Sequence, residues 1–161
     1  ETRKLWQDNA EALSPAGAVS WRLQEIRAGI PTLYRQTIGA FVLQMTNLQH
    51  LEGVSFKKGC YPGQEVVARM QYLGKLKRRM YRAVINSSHC PQPGAQLIEK
   101  DAAGKAVSGQ VVDAVTVAPQ QQELLMVARI DQVENNTLVL ADQPHADVVI
   151  KPLPYSVEHN D

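Results

Sequence analysis

The spacing of hydrophobic positions changes near residue 76. Before it, apolar residues recur every three or four positions, as on one face of a helix. After it, short valine-rich runs alternate with turn-forming residues, and no helical stretch separates them. The pattern predicts an α+β chain with a helical region at 1–76, a β-rich domain at 77–152 and a tail at 153–161. A small antiparallel Greek-key β-barrel or a sandwich fits the β-rich domain, and the barrel is the preferred interpretation.

Two helices are predicted in the first 30 residues. The first runs over 3–13 and is ended by the sequence SPAG at 14–17. The second follows Ser20, a plausible N-cap, and is ended by Gly29, because glycine accepts the left-handed conformation that closes a helix. Trp6 and Trp21 lie at helical positions, which predicts that they are core side chains.

A third helix is predicted after the stretch KKGCYPGQE at 57–65. Pro62 suits the first position of a helix, because its missing N–H would have no partner there. Apolar residues then recur at helical spacing until Gly74. Cys60 is therefore expected just before a helix N-terminus. The preceding sequence FVLQMTNL, at 41–48, is predicted to run extended into a loop.

Short strands follow one another in the rest of the chain. They are predicted at 80–85, 96–99, 108–118, 124–130, 137–140 and 148–150. The sequences HCPQPG at 89–94, DAAG at 101–104 and NN at 135–136 are predicted turns, with DAAG closing a hairpin.

Composition excludes several classes of protein. The chain has 161 residues, 44% of them hydrophobic and 20% charged, which is typical of a globular protein and not of a disordered one. The net charge of +1 argues against wholesale wrapping of nucleic acid. No apolar run approaches the roughly 20 residues that span a bilayer, and two cysteines form no disulfide framework. A cytoplasmic protein is expected. The opening ETRKLW resembles the middle of a helix, which suggests a fragment of a longer chain.

Cys60 has two interpretations. A free cysteine is among the most buried residue types and often serves as a small hydrophobic side chain. Here Lys57, Lys58 and a helix N-terminus would stabilise a thiolate instead. Gly59 and Gly63 would let the backbone approach a ligand closely and present N–H groups to an anion. The local chemistry favours a reactive thiol or an anion site.

The neighbouring polar residues also have alternatives. Gln64 and Glu65 fall in the first helical turn, where they either favour the helix dipole or hydrogen-bond a ligand beside the thiol. No metal site is predicted, because Cys60, Cys90 and the four histidines show no paired-ligand spacing. A Cys–His hydrolase pair would need a histidine close to a cysteine in the folded chain. The sequence alone does not show such a pair, and it is judged improbable.

A run of basic residues surrounds the predicted domain boundary. Such runs are usually solvated faces, although nearby tyrosines are also typical of contact with phosphates or with a polyanionic ligand tail. The basic residues are Arg69, Lys75, Lys77, Arg78 and Arg79, and the tyrosines are Tyr72 and Tyr81.

The motif KGCYPGQE at 58–65 resembles the K-G-C-Y-x-G-Q-E signature of the YgfZ family of folate-binding proteins. That family is related to the aminomethyltransferase, or T-protein, of the glycine cleavage system. RAGIP at 27–31 and FVLQMTNL at 41–48 precede the motif in the family's order. The resemblance covers nearly the whole chain and corresponds to about the second half of a family member.

The resemblance implies a fold and a function. Residues 1–76 would be the C-terminal part of a T-protein-like folate-binding module. The protein would bind tetrahydrofolate or a derivative, and support iron–sulfur enzymes such as tRNA methylthiotransferases, and so tRNA modification. Cys60 would be the functional, catalytic thiol. The other motif positions would bind the cofactor: Lys58, Gly59, Tyr61, Gly63, Gln64 and Glu65.

Two rival functions stay open at this point. An aminomethyltransferase-type folate enzyme is the first, although such relatives do not use the motif cysteine. The second is an RNA-contacting β-barrel in which Cys60 is incidental and binding to tRNA depends strongly on salt. Whether the protein is itself an enzyme is left open.

Overall fold

The structure is a computed structural model and describes residues 2–100 and 106–157. Its α-helices are α1 Thr2–Asn9, α2 Ala18–Ala28, α3 Gln64–Leu73 and α4 Ile130–Glu134, and its 3₁₀ helices are Arg35–Thr37 and Leu43–Thr46. The strands are β1 Arg78–Asn86, β2 Gln96–Glu99, β3 Val107–Ala118, β4 Gln121–Arg129, β5 Leu138–Leu140 and β6 Gln143–Lys151. No described helix is long and apolar enough to cross a membrane.

The strands close into an antiparallel barrel in the order β1-β4-β3-β2-β5-β6. Strands β2, β3 and β4, which are consecutive in the chain, lie side by side, and β1 pairs with β4, which is a Greek-key arrangement. The pairing of β1 with β6 closes the barrel and leaves no free sheet edge among the described strands. The predicted antiparallel Greek-key barrel is confirmed.

The alternation of side chains along β4 explains how the barrel is built. Leu124, Met126 and Ala128 belong to one core cluster, together with side chains from the five other strands. Leu125 and Val127 point to the opposite face and pack with Ile26 of α2 in a second cluster. Because both faces of β4 are covered, the strand is buried at every position except its two ends. Helix α2 is therefore part of the same packed structure as the barrel.

Two ion-pair networks fix α2 on the barrel. Asp113 of β3 is fully buried and accepts hydrogen bonds from Arg22 Nε at 2.6 Å and from the Tyr34 hydroxyl at 3.0 Å. Glu123 of β4 accepts from Arg27 Nη2 at 2.6 Å, and from Arg82 Nη2 at 2.8 Å. These carboxylates are buried but paired, which is the condition under which a charge is tolerated inside a protein.

The end of α2 confirms the predicted role of Gly29. Its φ is 69°, in the left-handed region, and its N–H bonds back to the helix. The Tyr155 hydroxyl donates to the Gly29 carbonyl oxygen at 2.8 Å. A Cβ at Gly29 would lie 2.7 Å from Leu153 Cδ2 and from the Tyr155 oxygen, so any other residue would displace this contact.

Several details of the helical region differ from the predictions. The N-cap of α2 is Gly17, and Ser20 lies within the helix, because the helix begins three residues earlier than its apolar pattern indicates. Trp6 and Trp21 are 62% and 71% exposed, so the prediction of core tryptophans was wrong. Helical spacing gives the face of a residue but not whether anything covers that face.

Residues 41–48 are not extended as predicted. Leu43–Thr46 form a 3₁₀ helix that Asn47 ends with a φ of 61°. This turn buries the polar side chains of Gln44 and Asn47, and Asn47 Nδ2 donates to the Met80 carbonyl of β1 at 3.0 Å. The side-chain amide of Asn47 bonds to the backbone of β1 and that of Gln44 bonds to the backbone of α3. These bonds hold the segment in its turn conformation.

The β-rich region has the six strands that the sequence predicts, but β4 begins three residues earlier than predicted, at Gln121, and β6 begins five residues earlier, at Gln143. Strand β4 ends at Arg129 and the short helix α4 follows, where the sequence predicts a strand to residue 130 and no helix. Asn136 has a φ of 53°, as expected for the predicted turn at 135–136. The predicted turn DAAG at 101–104 lies outside the described residues. The domain boundary near residue 76, just before β1, stays a prediction.

Candidate functional site

Cys60 is an exposed free thiol. It lies in the loop that leads into α3, as the sequence predicts. The interpretation of Cys60 as a buried hydrophobic side chain is therefore wrong. An exposed cysteine in this position is free to react with, or bind, a partner that approaches from solution.

A left-handed glycine turns the chain into α3. Gly63 is the N-cap, with φ 85° and ψ −3°, and the helix begins at Gln64. Pro62 lies in the turn before the helix and not at its first position, so the helix starts two residues later than predicted. A Cβ at Gly63 would meet no atom within 4 Å, so the requirement for glycine comes from the backbone conformation and not from crowding.

The motif's own side chains shape the loop around the thiol. The backbone N–H of Tyr61 donates to Gln64 Oε1 at 3.2 Å, and the Gln64 N–H donates to the Tyr61 carbonyl at 3.2 Å. Lys58 Nζ lies 4.9 Å from the centroid of the Tyr61 ring, a cation–π contact. Gln64 therefore has a structural role, and the structure brings Lys58, Tyr61 and Gln64 together on either side of Cys60.

The remaining two cofactor-binding candidates lie on open surface. A Cβ at Gly59 would meet no atom within 4 Å, so the backbone before Cys60 is accessible. Glu65 Oε1 lies 3.6 Å from Arg69 Nη2, one turn along α3, with both side chains largely exposed. Such a pair contributes about 0.3–0.5 kcal/mol to a helix, so it positions Glu65 only weakly. A role in cofactor binding stays a prediction for all six residues.

Few contacts hold α3 to the rest of the protein. The helix buries none of its residues. Gln44 Nε2 donates to the Val67 carbonyl at 2.6 Å, and the rings of Phe56 and Tyr72 meet edge to face with centroids 6.3 Å apart. Leu73 is 86% exposed. The Cys60 loop and α3 thus form an exposed platform that is tied to the 3₁₀ helix by Gln44, a residue that the sequence did not single out.

The buried carboxylates were also missed at the sequence level. Asp113 stands within the apolar run of the strand predicted at 108–118, and a charged residue in such a run is a signal of a paired buried charge. Glu123 follows three glutamines and directly precedes the strand predicted at 124–130, so no such signal marks it. Hydrogen bonds from Arg27 hold the pKa of Glu123 below its ordinary value, and those from Arg82 add to this. Burial raises the pKa of Tyr34, and the nearby Asp113 carboxylate raises it further. These groups join α2 to the barrel and do not line the Cys60 loop.

The second cysteine differs from the first. Cys90 is partly buried and packs against the barrel core. Burial raises the pKa of its thiol, which favours the unreactive protonated form. Within residues 2–100 and 106–157, no three histidine, cysteine or acidic side chains lie together as metal ligands would.

Known proteins match most of the chain. The tRNA-modifying protein YgfZ of Escherichia coli O157:H7 is 36% identical over 138 residues, which are 86% of this chain and 42% of that protein. The tRNA-modifying protein YgfZ of Yersinia enterocolitica is 34% identical over 157 residues, which are 98% of this chain and 48% of that protein. The chain spans about half the length of the curated relatives it matches. No family model matches it.

Proposed function

Because this chain belongs to the YgfZ family, we propose that it functions in tRNA modification as a folate-binding protein, with Cys60 as its functional thiol. The exposure of Cys60 within the motif KGCYPGQE is the observation that carries the proposal. A buried cysteine would have to be uncovered before it met a ligand or a partner enzyme. An exposed one, on a loop before a helix, meets the requirement for thiol chemistry directly.

Tetrahydrofolate is the proposed ligand, and the loop has groups that suit it. Folate carries a pterin ring with amide-like donors and acceptors, and a tail of glutamate carboxylates. The amide oxygen of Gln64 accepts the hydrogen bond from the Tyr61 N–H. The amide nitrogen of Gln64 takes no part in this bond and can donate to a ligand. The Lys58 ammonium is exposed and suits a carboxylate of the tail. The bare backbone at Gly59 and Gly63 leaves space for a ligand to approach Cys60.

Each part then has a defined role in the proposal. Tetrahydrofolate, when bound, supplies a carrier of one-carbon units. The chain's own residues hold it: Lys58 binds the tail, Gln64 and the glycine backbone orient the ring, and Cys60 presents its thiol beside the ligand. Residues 1–76 form part of a T-protein-like folate module. The partners are cytoplasmic iron–sulfur enzymes of the tRNA methylthiotransferase class, whose activity this protein supports.

Titration with tetrahydrofolate tests the folate part of the proposal. The monoglutamyl and pentaglutamyl forms are compared by calorimetry at two salt concentrations. We expect the pentaglutamyl form to bind more tightly, and its advantage to shrink at high salt, because the contact with Lys58 is electrostatic and exposed. Lys58→Gln should remove much of that advantage. Lys151→Gln is the matched control, since Lys151 is an exposed lysine on β6.

Two results would contradict parts of this account. Equal affinity for the two forms in the unchanged protein would remove the role of Lys58. A protein that binds neither form would remove folate as the ligand of these residues.

A further inference from the structure

Positive charge is concentrated around the Cys60 platform. Residues 57–79 contain seven lysines and arginines and a single acidic residue, Glu65, although the whole chain has a net charge of only +1. The rest of the chain is therefore acidic overall. We name these seven residues the basic ribbon: Lys57, Lys58, Arg69, Lys75, Lys77, Arg78 and Arg79.

Most of the basic ribbon is not neutralised by the protein, whereas the arginines at the contact between α2 and the barrel are. Arg22, Arg27 and Arg82 each pair with a buried carboxylate. Among the residues that the structure describes, Arg69 is the only ribbon member in an ion pair, and its partner Glu65 is largely exposed. A surface that holds six more cations than anions, with little internal pairing, attracts a polyanion.

Local contacts make the ribbon continuous in space. The ring contact between Phe56 and Tyr72 brings the loop that carries Lys57 and Lys58 to the last turn of α3. Lys75 and Lys77 follow that turn directly, and the backbone then enters β1. Arg69 lies one turn before the end of α3. The cations therefore extend along a single short helix, from the loop before α3 to the start of the strand that follows it.

Exposed aromatic surface lies within the ribbon. Tyr72 is 70% exposed and stands between Arg69 and Lys75. Cations that flank an exposed aromatic ring are the combination by which proteins bind single-stranded or looped RNA, since the cations hold phosphates and the ring stacks on a base. A membrane surface matches this arrangement of cations and aromatic rings less well than RNA does. Membrane-binding helices have basic residues along their polar face, whereas α3 has one arginine, which is paired with Glu65.

We propose that the basic ribbon binds the phosphate backbone of tRNA, and that Tyr72 stacks on an unpaired base of the same molecule. The inference rests on the proposed function, to which it adds a nucleic-acid surface beside the thiol. It would allow the protein to meet its partner enzyme while that enzyme holds tRNA.

Binding of a transcribed tRNA, measured by fluorescence anisotropy over a range of salt concentrations, tests the ribbon. The ribbon variant changes four exposed cations to glutamine: Lys57, Arg69, Lys75 and Lys77. Lys58 is left unchanged, so that the proposed folate contact is intact. The control variant makes the same change in net charge at four exposed positions elsewhere: Arg3, Lys4, Arg35 and Lys151. A Tyr72→Ala variant tests the stacking contact separately.

The expected results follow from counterion release. Each lost phosphate contact lowers the steepness of the plot of log affinity against log salt by about 0.7–0.9. The ribbon variant should therefore lose roughly tenfold or more in affinity at low salt and show a slope shallower by about 3, whereas the control should change about twofold or less. Tyr72→Ala should weaken binding to tRNA at every salt concentration without changing the slope.

Three results would overturn the inference: no binding of tRNA by the unchanged protein, equal losses in the ribbon and control variants, or ribbon-dependent binding of phosphatidylserine vesicles as tight as that of tRNA. Tetrahydrofolate titration of the same variants separates this inference from the proposed function. Folate binding without tRNA binding would defeat the ribbon alone. Ribbon-dependent tRNA binding without folate binding would defeat the folate proposal and support the ribbon.

Discussion

The barrel and the Cys60 platform, defined here as the Cys60 loop and α3, are built in opposite ways. The barrel is closed by hydrogen bonds on every strand and has buried side chains on both faces of β3 and β4. Helix α3 has no buried residue and is linked to its neighbours by the Gln44 hydrogen bond and the Phe56–Tyr72 contact. Both are about equally apolar in sequence, so composition does not explain the difference. The difference comes from whether other parts of the protein cover each apolar face.

The comparison separates stability from function. Free energy of folding comes mainly from apolar surface removed from water, and nearly all of that surface is in the barrel and under α2. Segments with few buried contacts open more easily, and reactive or binding groups are commonly found on them. The thiol, the left-handed glycine and two exposed lysines, Lys57 and Lys58, lie on the platform. Substitutions there should therefore change chemistry, and substitutions in the barrel should change stability.

The largest expected effect is a core truncation in the barrel. Leu124 is fully buried in β4, and Leu124→Ala should lower the free energy of unfolding by about 2–5 kcal/mol, through lost burial and the cavity left behind. Leu73→Ala on α3 is the matched control, since Leu73 is 86% exposed and should change stability by about 0.5 kcal/mol or less. Urea denaturation measures both. Equal losses would mean that the platform shares the core.

The next effect is a pH dependence that belongs to the barrel. Hydrogen bonds from Arg27, and then from Arg82, hold the pKa of Glu123 below its ordinary value of 4.5. The stability that Glu123 contributes is therefore fully present above pH 4.5 and is lost as the pH falls through the lowered pKa. Glu123→Gln should cost about 1–3 kcal/mol near neutral pH and flatten the acid limb of the stability curve.

Denaturation midpoints between pH 2 and pH 7 check this expectation, with Glu65→Gln as the control in an exposed pair. A Glu123→Gln curve that runs parallel to that of the unchanged protein would show that Glu123 does not titrate with folding.

A third test compares the two thiols. Cys60 is exposed, whereas Cys90 is partly buried and burial raises the pKa of its thiol. Alkylation by iodoacetamide near neutral pH should therefore be about tenfold or more faster at Cys60, because the reagent needs both access and thiolate. Mass spectrometry of the two cysteine peptides over time gives the rates. A faster reaction at Cys90 would contradict the assigned environments.

The smallest expected effect concerns the turn into α3. Gly63→Ala places a side chain on a left-handed residue and should cost about 1 kcal/mol in local helix stability, although the space is open. Gly59→Ala is the matched control, because Gly59 is equally open and has no positive φ. Amide hydrogen exchange in α3 should speed up for Gly63→Ala alone. Equal exchange in both variants would show that the left-handed turn does not set the start of the helix.

Local signals in the sequence were enough to predict much of the barrel. Valine-rich runs and turn residues indicated its strands, and Gly29 was correctly predicted to end α2. The contacts between distant residues were not predictable in this way. Arg22 and Asp113 are 91 residues apart, and no periodic pattern joins them.

The platform shows the same limit. The motif located Cys60 before a helix, but not the exposure of the thiol or the bond from Gln44 to Val67. Helical spacing also predicted buried tryptophans, whereas Trp6 and Trp21 are exposed. Burial depends on what covers a face, and this information lies elsewhere in the chain.

The most direct test of the central claim is replacement of Cys60 by serine in cells that depend on this protein. Cys60→Ser keeps the shape of the loop but replaces the thiol by a hydroxyl that stays protonated at neutral pH. We expect a protein with unchanged unfolding, and a large loss of methylthiolated nucleosides in total tRNA measured by mass spectrometry. Cys90→Ser, the matched control, should leave those nucleosides at their normal level. Normal methylthiolation in cells with Cys60→Ser would contradict the role of Cys60 as the functional thiol.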